Sequence, residues 1–567
     1  MKSMQNRTKI IVATLAIVGA VLYVANLKNP LYGDDIPLII ENSRVQEFSF
    51  SSVKALLTHT NAEGSAGIAL QYRPITMASF AANVRLSGAV TTSYHVVNDV
   101  LHILNAILLF FVVRLLLASR TISTHRRDIL SAVIAAFWLI HPLQTEAVSN
   151  IAGRGDLLAF FFEAIGLYLV LKGKSWRWSA ATIFAMALAL LSHESAILFP
   201  VYATLALLMV PSTSSPFRSS LSAALGVTWP LYALAAVYGA IHTIVLNLPS
   251  SFVGYALTHG SAVLSYLKLV IIPVGLHPER TIPMLPLWAA WVGIAVVMGG
   301  IAGALRQWRR GDRIAVFGVA LAILPLALSF GFSSGTQLRI LEHWLYLPLV
   351  GLALLVVVYG DVLYQMLRAK SRIVGIIFFV LVVAYVLVLC AQTVRQNVLW
   401  GQPEKLLMRI TSFEPEHTPT LIALATLYAQ QEKFDLAEKY LLTASALSPS
   451  DAGIFTMLGN LKRGLGAMDQ AIMYYEKAIA ADPSSSYAYR NLAGIYIQRG
   501  NNAKALPLLL ELEELTPQDV AVHYAVAQLY LTAGKRTQAL QALERGIPYL
   551  QTPDAAAAYE QLLRKLQ

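Results

Sequence analysis

Four prolines, Pro415, Pro449, Pro483 and Pro517, recur every 34 residues, and four alanines, Ala437, Ala471, Ala505 and Ala539, keep the same step. A period of that length constrains the fold sharply. Each unit must be a helix pair that hides its apolar face only by stacking on its neighbour, with proline ending the unit. Helical arrays of this kind bind extended peptides, so the sequence in front of the array is expected to act on, or assemble with, a polypeptide. That sequence, residues 1–400, is membrane-like, and residues 401–567 carry the array. The expected architecture is all-α: a polytopic membrane helix bundle followed by a C-terminal α-solenoid.

Whole-chain composition, 56% hydrophobic and 13% charged, hides this division. Residues 404–567 hold 15 Lys and Arg against 17 Asp and Glu, whereas residues 1–403 hold 28 against 15. The basic excess sits in short loops between apolar runs rather than on one face interleaved with aromatics. That pattern argues for membrane topology and against a nucleic-acid partner. Cys390 is the only cysteine, which excludes intrachain disulfides and cysteine-based metal sites. At the N-terminus, Lys2, Arg7 and Lys9 precede an apolar run to Ala25 with no small-residue cleavage site, so it reads as an uncleaved signal anchor.

Stretches of spanning length lie at 9–27, 97–119, 128–147, 155–173, 177–192, 194–211, 219–245, 285–304, 314–331, 344–366 and 373–393, which predicts about 11 transmembrane helices. Basic clusters at Arg120–Arg127, Lys172–Arg177, Arg218, Arg306–Arg313 and Arg368–Arg372 fall in every second loop, as a cytoplasmic N-terminus requires. A span at 258–276 would invert the later loops, so that segment is expected to lie along the outer face. The odd number of spans then puts the array outside, with the first loop, 29–95, and an amphipathic loop, 246–284. The sole N-x-S/T sequon, Asn6-Arg7-Thr8, falls on the cytoplasmic tail. Outer loops without sequons point to a bacterial inner membrane, with the array in the periplasm.

Aligned on Ala471, one repeat reads Phe455, Leu458, Gly459, Gly466, Ala471, Tyr475, Ala478 and Pro483. These are the small and large positions by which the two helices of a tetratricopeptide repeat pack together. Leu424, Ala425 and Tyr428, then Tyr489, Leu492, Tyr496 and Gly500, then Tyr530 and Gly534, continue it. Residues 418–551 thus predict about four repeats, and Asp554 to Gln567 a capping helix. The groove of such an array suits a peptide or one partner helix.

Ionisable groups at a membrane edge are expensive, so where they gather is informative. On the expected outer side they are Asp34, Asp35 and Asn42; Arg73; His95 and His102; His141, Glu146, Arg154 and Asp156; His193 and Glu194; and Arg339, Glu342 and His343. A bare Asp-Asp pair is most often a solvated loop start. Opposed by arginines and histidines on one face, it suits sugar transfer from a lipid phosphate. The phosphate leaves readily once cations meet its charge, whereas the acceptor hydroxyl needs a base. Asp34 and Asp35 are therefore the candidate catalytic pair, and Arg154, Arg73, Arg339 and His343 the candidate phosphate ligands. Arg154 ranks first because Gly153 and Gly155 let its backbone approach a ligand. Asn42, His95, His102, His141, Glu146, Asp156, His193, Glu194 and Glu342 are candidate supporting residues. A divalent ion on Asp34 and Asp35 with His95 or His102 is the rival use, but no H-x-x-x-H or H-E-x-x-H spacing supports it, so no cofactor is required. Phosphate-cradling glycine loops, nucleophile elbows and dinucleotide fingerprints do not occur.

At these residues the chain resembles the transmembrane and tetratricopeptide-repeat O-mannosyltransferases, within the GT-C class of polyprenyl-phosphate-sugar glycosyltransferases. The resemblance runs through Asp34-Asp35 with Asn42, Tyr72-Arg73-Pro74, Tyr94-His95-x-x-Asn98 with His102, and His141-Pro142 through Glu146 to Gly153-Arg154-x-Asp156. It continues through Tyr266 to Pro273 and LEHWLYLP, Leu341 to Pro348, into the repeats. It departs at His343, where the family usually has Arg, at His193, where a Lys-Glu pair is usual, and in having fewer repeats than the long animal members. The resemblance implies an inverting transferase that moves a hexose, such as mannose, from a polyprenyl phosphate to a hydroxyl of a protein or glycan outside the cytoplasm, with the first Asp as base. A non-catalytic membrane scaffold whose repeats recruit envelope proteins is the alternative. A transporter is disfavoured because the polar residues crowd one face rather than the midplane.

Overall fold

Among the described residues each stretch of spanning length carries a helix, although that at 128–147 is broken at His141, in the computed structural model, which describes residues 2–31, 33–47, 54–55, 72–88, 90–173, 176–209, 217–246, 256–281, 287–331, 339–550 and 553–566. The helices are Lys2–Tyr23, Thr91–Leu116, Thr124–Ile140, Arg154–Lys172, Trp176–Leu190, Phe199–Met209, Phe217–Leu246, Leu287–Arg309, Ile314–Gly331, Pro348–Lys370 and Arg372–Trp400. Ala256–Ile271 adds a helix over the ambiguous segment. Among the described residues, six helices are long and apolar enough to cross a membrane, and the bent pair Thr124–Ile140 with Pro142–Ser149 makes a seventh. The chain is a helical membrane protein. It divides into two compact units, Met1–Leu406 and Leu407–Gln567.

The 54° bend in that pair follows from Pro142. Proline pushes the preceding residue out of helical geometry, and His141 is extended at φ −73° and ψ 127°. The chain then turns through short helical pieces, Pro142–Gln144, Thr145–Ser149 and Ile151–Gly153, before entering the Arg154–Lys172 helix. Polar atoms in an apolar bundle must find partners inside it. Trp138 is fully buried, donates its Nε1–H to the Tyr346 carbonyl at 2.8 Å and stacks on Phe160 at 4.9 Å between centroids. His102 donates Nε2–H to the Leu139 carbonyl at 3.2 Å, and its Nδ1 lies 2.9 Å from the Tyr346 hydroxyl. Three helices and the turn before Pro348–Lys370 are locked by these contacts. At the far end of Thr91–Leu116, Arg114 pairs with Asp128, Arg120 with Asp312 and Arg126 with Asp361. Three basic loops are thereby gathered at one end of the bundle.

The second unit contains four helix pairs: Thr418–Gln430 with Phe434–Leu447, Ala452–Gly464 with Met468–Ala481, Ser486–Gln498 with Asn502–Leu515, and Val520–Thr532 with Arg536–Gly546; Pro553–Leu566 follows. Pro449, Pro483 and Pro517 each stand two residues past the end of a second helix, where a continued helix would clash. Ala437, Ala471, Ala505 and Ala539 are fully buried at the crossings. A Cβ on Gly459 would sit 2.6 Å from the Tyr475 ring, so only glycine fits there. The turn inside each pair needs a left-handed residue. Gly466, Gly500 and Gly534 supply it at φ 76°, 67° and 72°, but the first repeat uses Glu432 at φ 60°. A side chain in that conformation is strained by roughly 1 kcal/mol. Glu432→Gly is therefore expected to raise the denaturation midpoint of the repeat unit in the intact protein, and Gly466→Glu to lower its stability by about 1 kcal/mol.

Candidate functional site

Asp34 and Asp35 have opposite surroundings. Gly33, at φ 59°, turns the chain after the first helix, and Asp35 then opens a short helical turn, Ile36–Ile40. Asp35 is buried and accepts the Ala152 backbone N–H at 2.9 Å, which ties the first loop to the turn after Pro142. Asp34 remains accessible. Desolvation by the surrounding protein raises its carboxyl above the usual range, opposed by the nearby positive charge of His343.

Three further loops bring charge to the same place. Arg73, just before the Pro74–Ser87 helix, donates Nε–H and Nη2–H to the two oxygens of Glu194, at 2.9 and 2.7 Å. Its Nη2 also lies 2.8 Å from His193 Nε2, which is in turn 3.5 Å from Asp156 Oδ1. A Cβ on Gly155 would come within 3.1 Å of the Ser192 carbonyl and 3.6 Å of Arg73 Nη1, so this glycine lets the loops close together. His343 is gripped by Glu146, which accepts Nδ1–H at 2.8 Å and the His343 backbone N–H at 3.0 Å. Burial by itself would lower the His343 pKa. The charge and hydrogen bond of Glu146, helped by Asp156, outweigh burial and push it up to about 9. His193 shifts the other way, lowered by burial and by the charge of Arg73. His343 is thus a cation at neutral pH beside an accessible carboxylate.

Arg154 does not belong to the exposed set. It is fully buried, donating Nε–H to Asn98 Oδ1 at 2.8 Å, Nη1–H to Asn83 Oδ1 at 2.8 Å and Nη2–H to the Tyr94 carbonyl at 3.0 Å. Its guanidinium also stacks over Phe80 at 4.5 Å. The first rank given to Arg154 as a phosphate ligand is corrected: its donors are spent on protein, and Gly153 serves packing, since a Cβ there would lie 2.4 Å from the Ala147 carbonyl.

Two tetratricopeptide-repeat family models match residues 422–486 and 463–529. Across both units, the protein O-mannosyl-transferase TMTC3 of Mus musculus is 24% identical over 516 residues, 82% of this chain and 55% of the relative. The chain is similar to transmembrane and tetratricopeptide-repeat proteins across both units. TMTC3 of Homo sapiens is 23% identical over the same shares, and Tmtc1 of Drosophila melanogaster is 33% identical over 22% of this chain and 14% of its own. The chain spans about half the length of the curated relatives it matches across both units.

Several residues singled out in the sequence serve the scaffold. Asn42 caps the Ser43–Gln46 turn by accepting the Arg44 N–H at 3.1 Å. His95 reaches the Asn29 carbonyl, and His141 the Val270 carbonyl, at 3.2 and 3.1 Å. Together with His102 they join helices, and among the described residues no group of three His, Cys, Asp or Glu could hold a metal ion. Glu342 is buried, accepts the His277 N–H at 2.9 Å and lies 3.7 Å from Arg280; burial and then the charge of Glu146 raise its carboxyl. Arg280, in the His277-Pro278-Glu279-Arg280 run, also donates to the Gly275 carbonyl at 2.8 Å. Arg339 pairs through its backbone with Thr281 in a two-residue antiparallel ladder. Its side chain, like Tyr32 and most of the first loop, lies outside the described residues.

Two outcomes follow. Arg154→Met strands the buried oxygens of Asn98 and Asn83, so it is expected to lower thermal stability strongly, by roughly 3 kcal/mol or more, measured on purified protein. The Glu146–His343 pair, with its folded pKa above the ordinary ~6.5, stabilises fully below that value and is lost as pH rises through about 9. Stability scans from pH 6 to 10 should show that loss in the wild type and not in His343→Arg.

Proposed function

We propose that the first unit is a polyprenyl-phosphate-sugar-dependent glycosyltransferase of the GT-C type, transferring a hexose to a hydroxyl of a protein or glycan. The observation that carries this reading is the division of the acidic pair: Asp34 stays accessible beside the His343 cation, and Asp35 is bound to Ala152. The names of the relatives, protein O-mannosyl-transferases, support mannose as the sugar and protein as the acceptor.

Asp34 takes the proton of the acceptor hydroxyl as its oxygen attacks the anomeric carbon. The bond from that carbon to the phosphate oxygen breaks, and the polyprenyl phosphate leaves with the bonding electrons. Attack from the face opposite the leaving group inverts the anomeric configuration. His343 and Arg73, whose side chains keep 24% and 13% of their exposure, meet the phosphate charge. Glu146 and Glu194 hold these cations in place, and His193 and Asp156 complete the surround. Asp35 positions Asp34 through the Ala152 tether. We place the N-terminus in the cytoplasm and the site and repeats outside it, in a bacterial inner membrane. The alternation of basic loops supports that side, and the sequon-free outer loops support that membrane. The repeats are placed to receive a polypeptide acceptor or partner.

Asp34→Asn keeps size and hydrogen bonding but removes basicity. Transfer from a polyprenyl-phosphate sugar is expected to fall by roughly 100-fold or more while donor binding persists. Asp35→Asn should instead reduce the yield of folded protein. Full transfer by Asp34→Asn would sink the enzyme reading and leave a scaffold that recruits envelope proteins.

A further inference from the structure

Midway along the Arg154–Lys172 helix, nine residues from either end, Glu163 lines a partly open pocket that no step of the proposed transfer uses. The pocket wall is otherwise apolar, with Leu109, Phe160, Phe199, Phe317 and Leu354, apart from Tyr202 of the Phe199–Met209 helix. Glu163 and Tyr202 are 6% and 2% exposed, and neither Glu163 Oε1 nor the Tyr202 hydroxyl has a hydrogen-bond partner among the described residues. Buried polar atoms are ordinarily paired, because leaving one unpaired in apolar surroundings costs about 1–3 kcal/mol. An ionisable residue inside a membrane bundle, without a partner, marks a place where something else completes the set.

The wall restricts what that occupant is. Its alkyl and aromatic lining favours a chain. An anionic head would face the carboxyl of Glu163 with no cation in the lining to offset it. A hydroxyl both donates and accepts, so it can join the carboxyl and the phenol at once. We propose that this pocket, of about 40 Å³, takes the head of a long-chain lipid alcohol, its hydroxyl between Glu163 and Tyr202 and its chain leaving over the apolar rim through the pocket's open side. The assignment is independent of the transfer reading, since it uses none of the residues given a role there.

The test uses full-length protein in phosphatidylcholine nanodiscs, labelled with a photoactivatable hexadecanol. Label is expected on peptides of the Arg154–Lys172 and Phe199–Met209 helices. Hexadecanol should compete about tenfold better than hexadecane, the preference that two hydrogen bonds supply. In Glu163→Leu with Tyr202→Phe that preference should disappear. Equal competition by hexadecane, stronger competition by hexadecylamine, or label confined to other helices would each overturn the proposal. The competition on wild-type protein decides the matter even if the double variant fails to fold.

Discussion

A buried guanidinium has to be met by acceptors, and the end of the bundle that carries the candidate site is organised around that demand. Arg154 stands at the start of its helix and collects Asn98 and the Tyr94 carbonyl from one neighbour, and Asn83 with Phe80 from another. Removing one partner from such a set leaves a charge in an apolar setting, which is far more destabilising than the set is stabilising. The geometry is therefore held tightly. Because Ala152 lies two residues before Arg154 and receives the Asp35 carboxylate, the same anchor fixes the first loop and with it the position of Asp34.

Charges on the accessible side obey a different rule. Arg73 and His343 are each gripped by one carboxylate, Glu194 and Glu146, and keep 13% and 24% side-chain exposure. This pairing keeps two cations together without collapse onto Asp34. It also gives histidine at position 343 a positive charge at neutral pH, which arginine would carry without help. Histidine at this position thus comes with a dependence on Glu146.

The repeat unit rests on steric exclusion rather than charge. Four buried alanines and Gly459 let paired helices approach, and the left-handed turn residues set the angle at which each pair reverses. Each repeat solves the same packing problem with its nearest neighbours, so its features recur at one spacing and can be read directly along the chain.

That locality explains what the sequence by itself determined. The 34-residue period announced the array and its proline stops, apolar length announced the bundle helices, and the ionisable residues near their ends marked where a site could form. Helix periodicity and turn chemistry act over a few residues, so they leave a trace in linear order. The roles of individual charges left none. Arg73 finds Glu194 across 121 positions and His343 finds Glu146 across 197, so which donors are spent and which stay accessible depends on chain crossings. Adjacent Asp34 and Asp35 look equivalent in sequence, and flanking glycines suggested that the Arg154 backbone approaches a ligand. Only the tertiary structure buried Arg154 and Asp35, left Asp34 accessible and set Glu163 with Tyr202 in an apolar pocket, because burial and pairing are settled by neighbours distant in the chain.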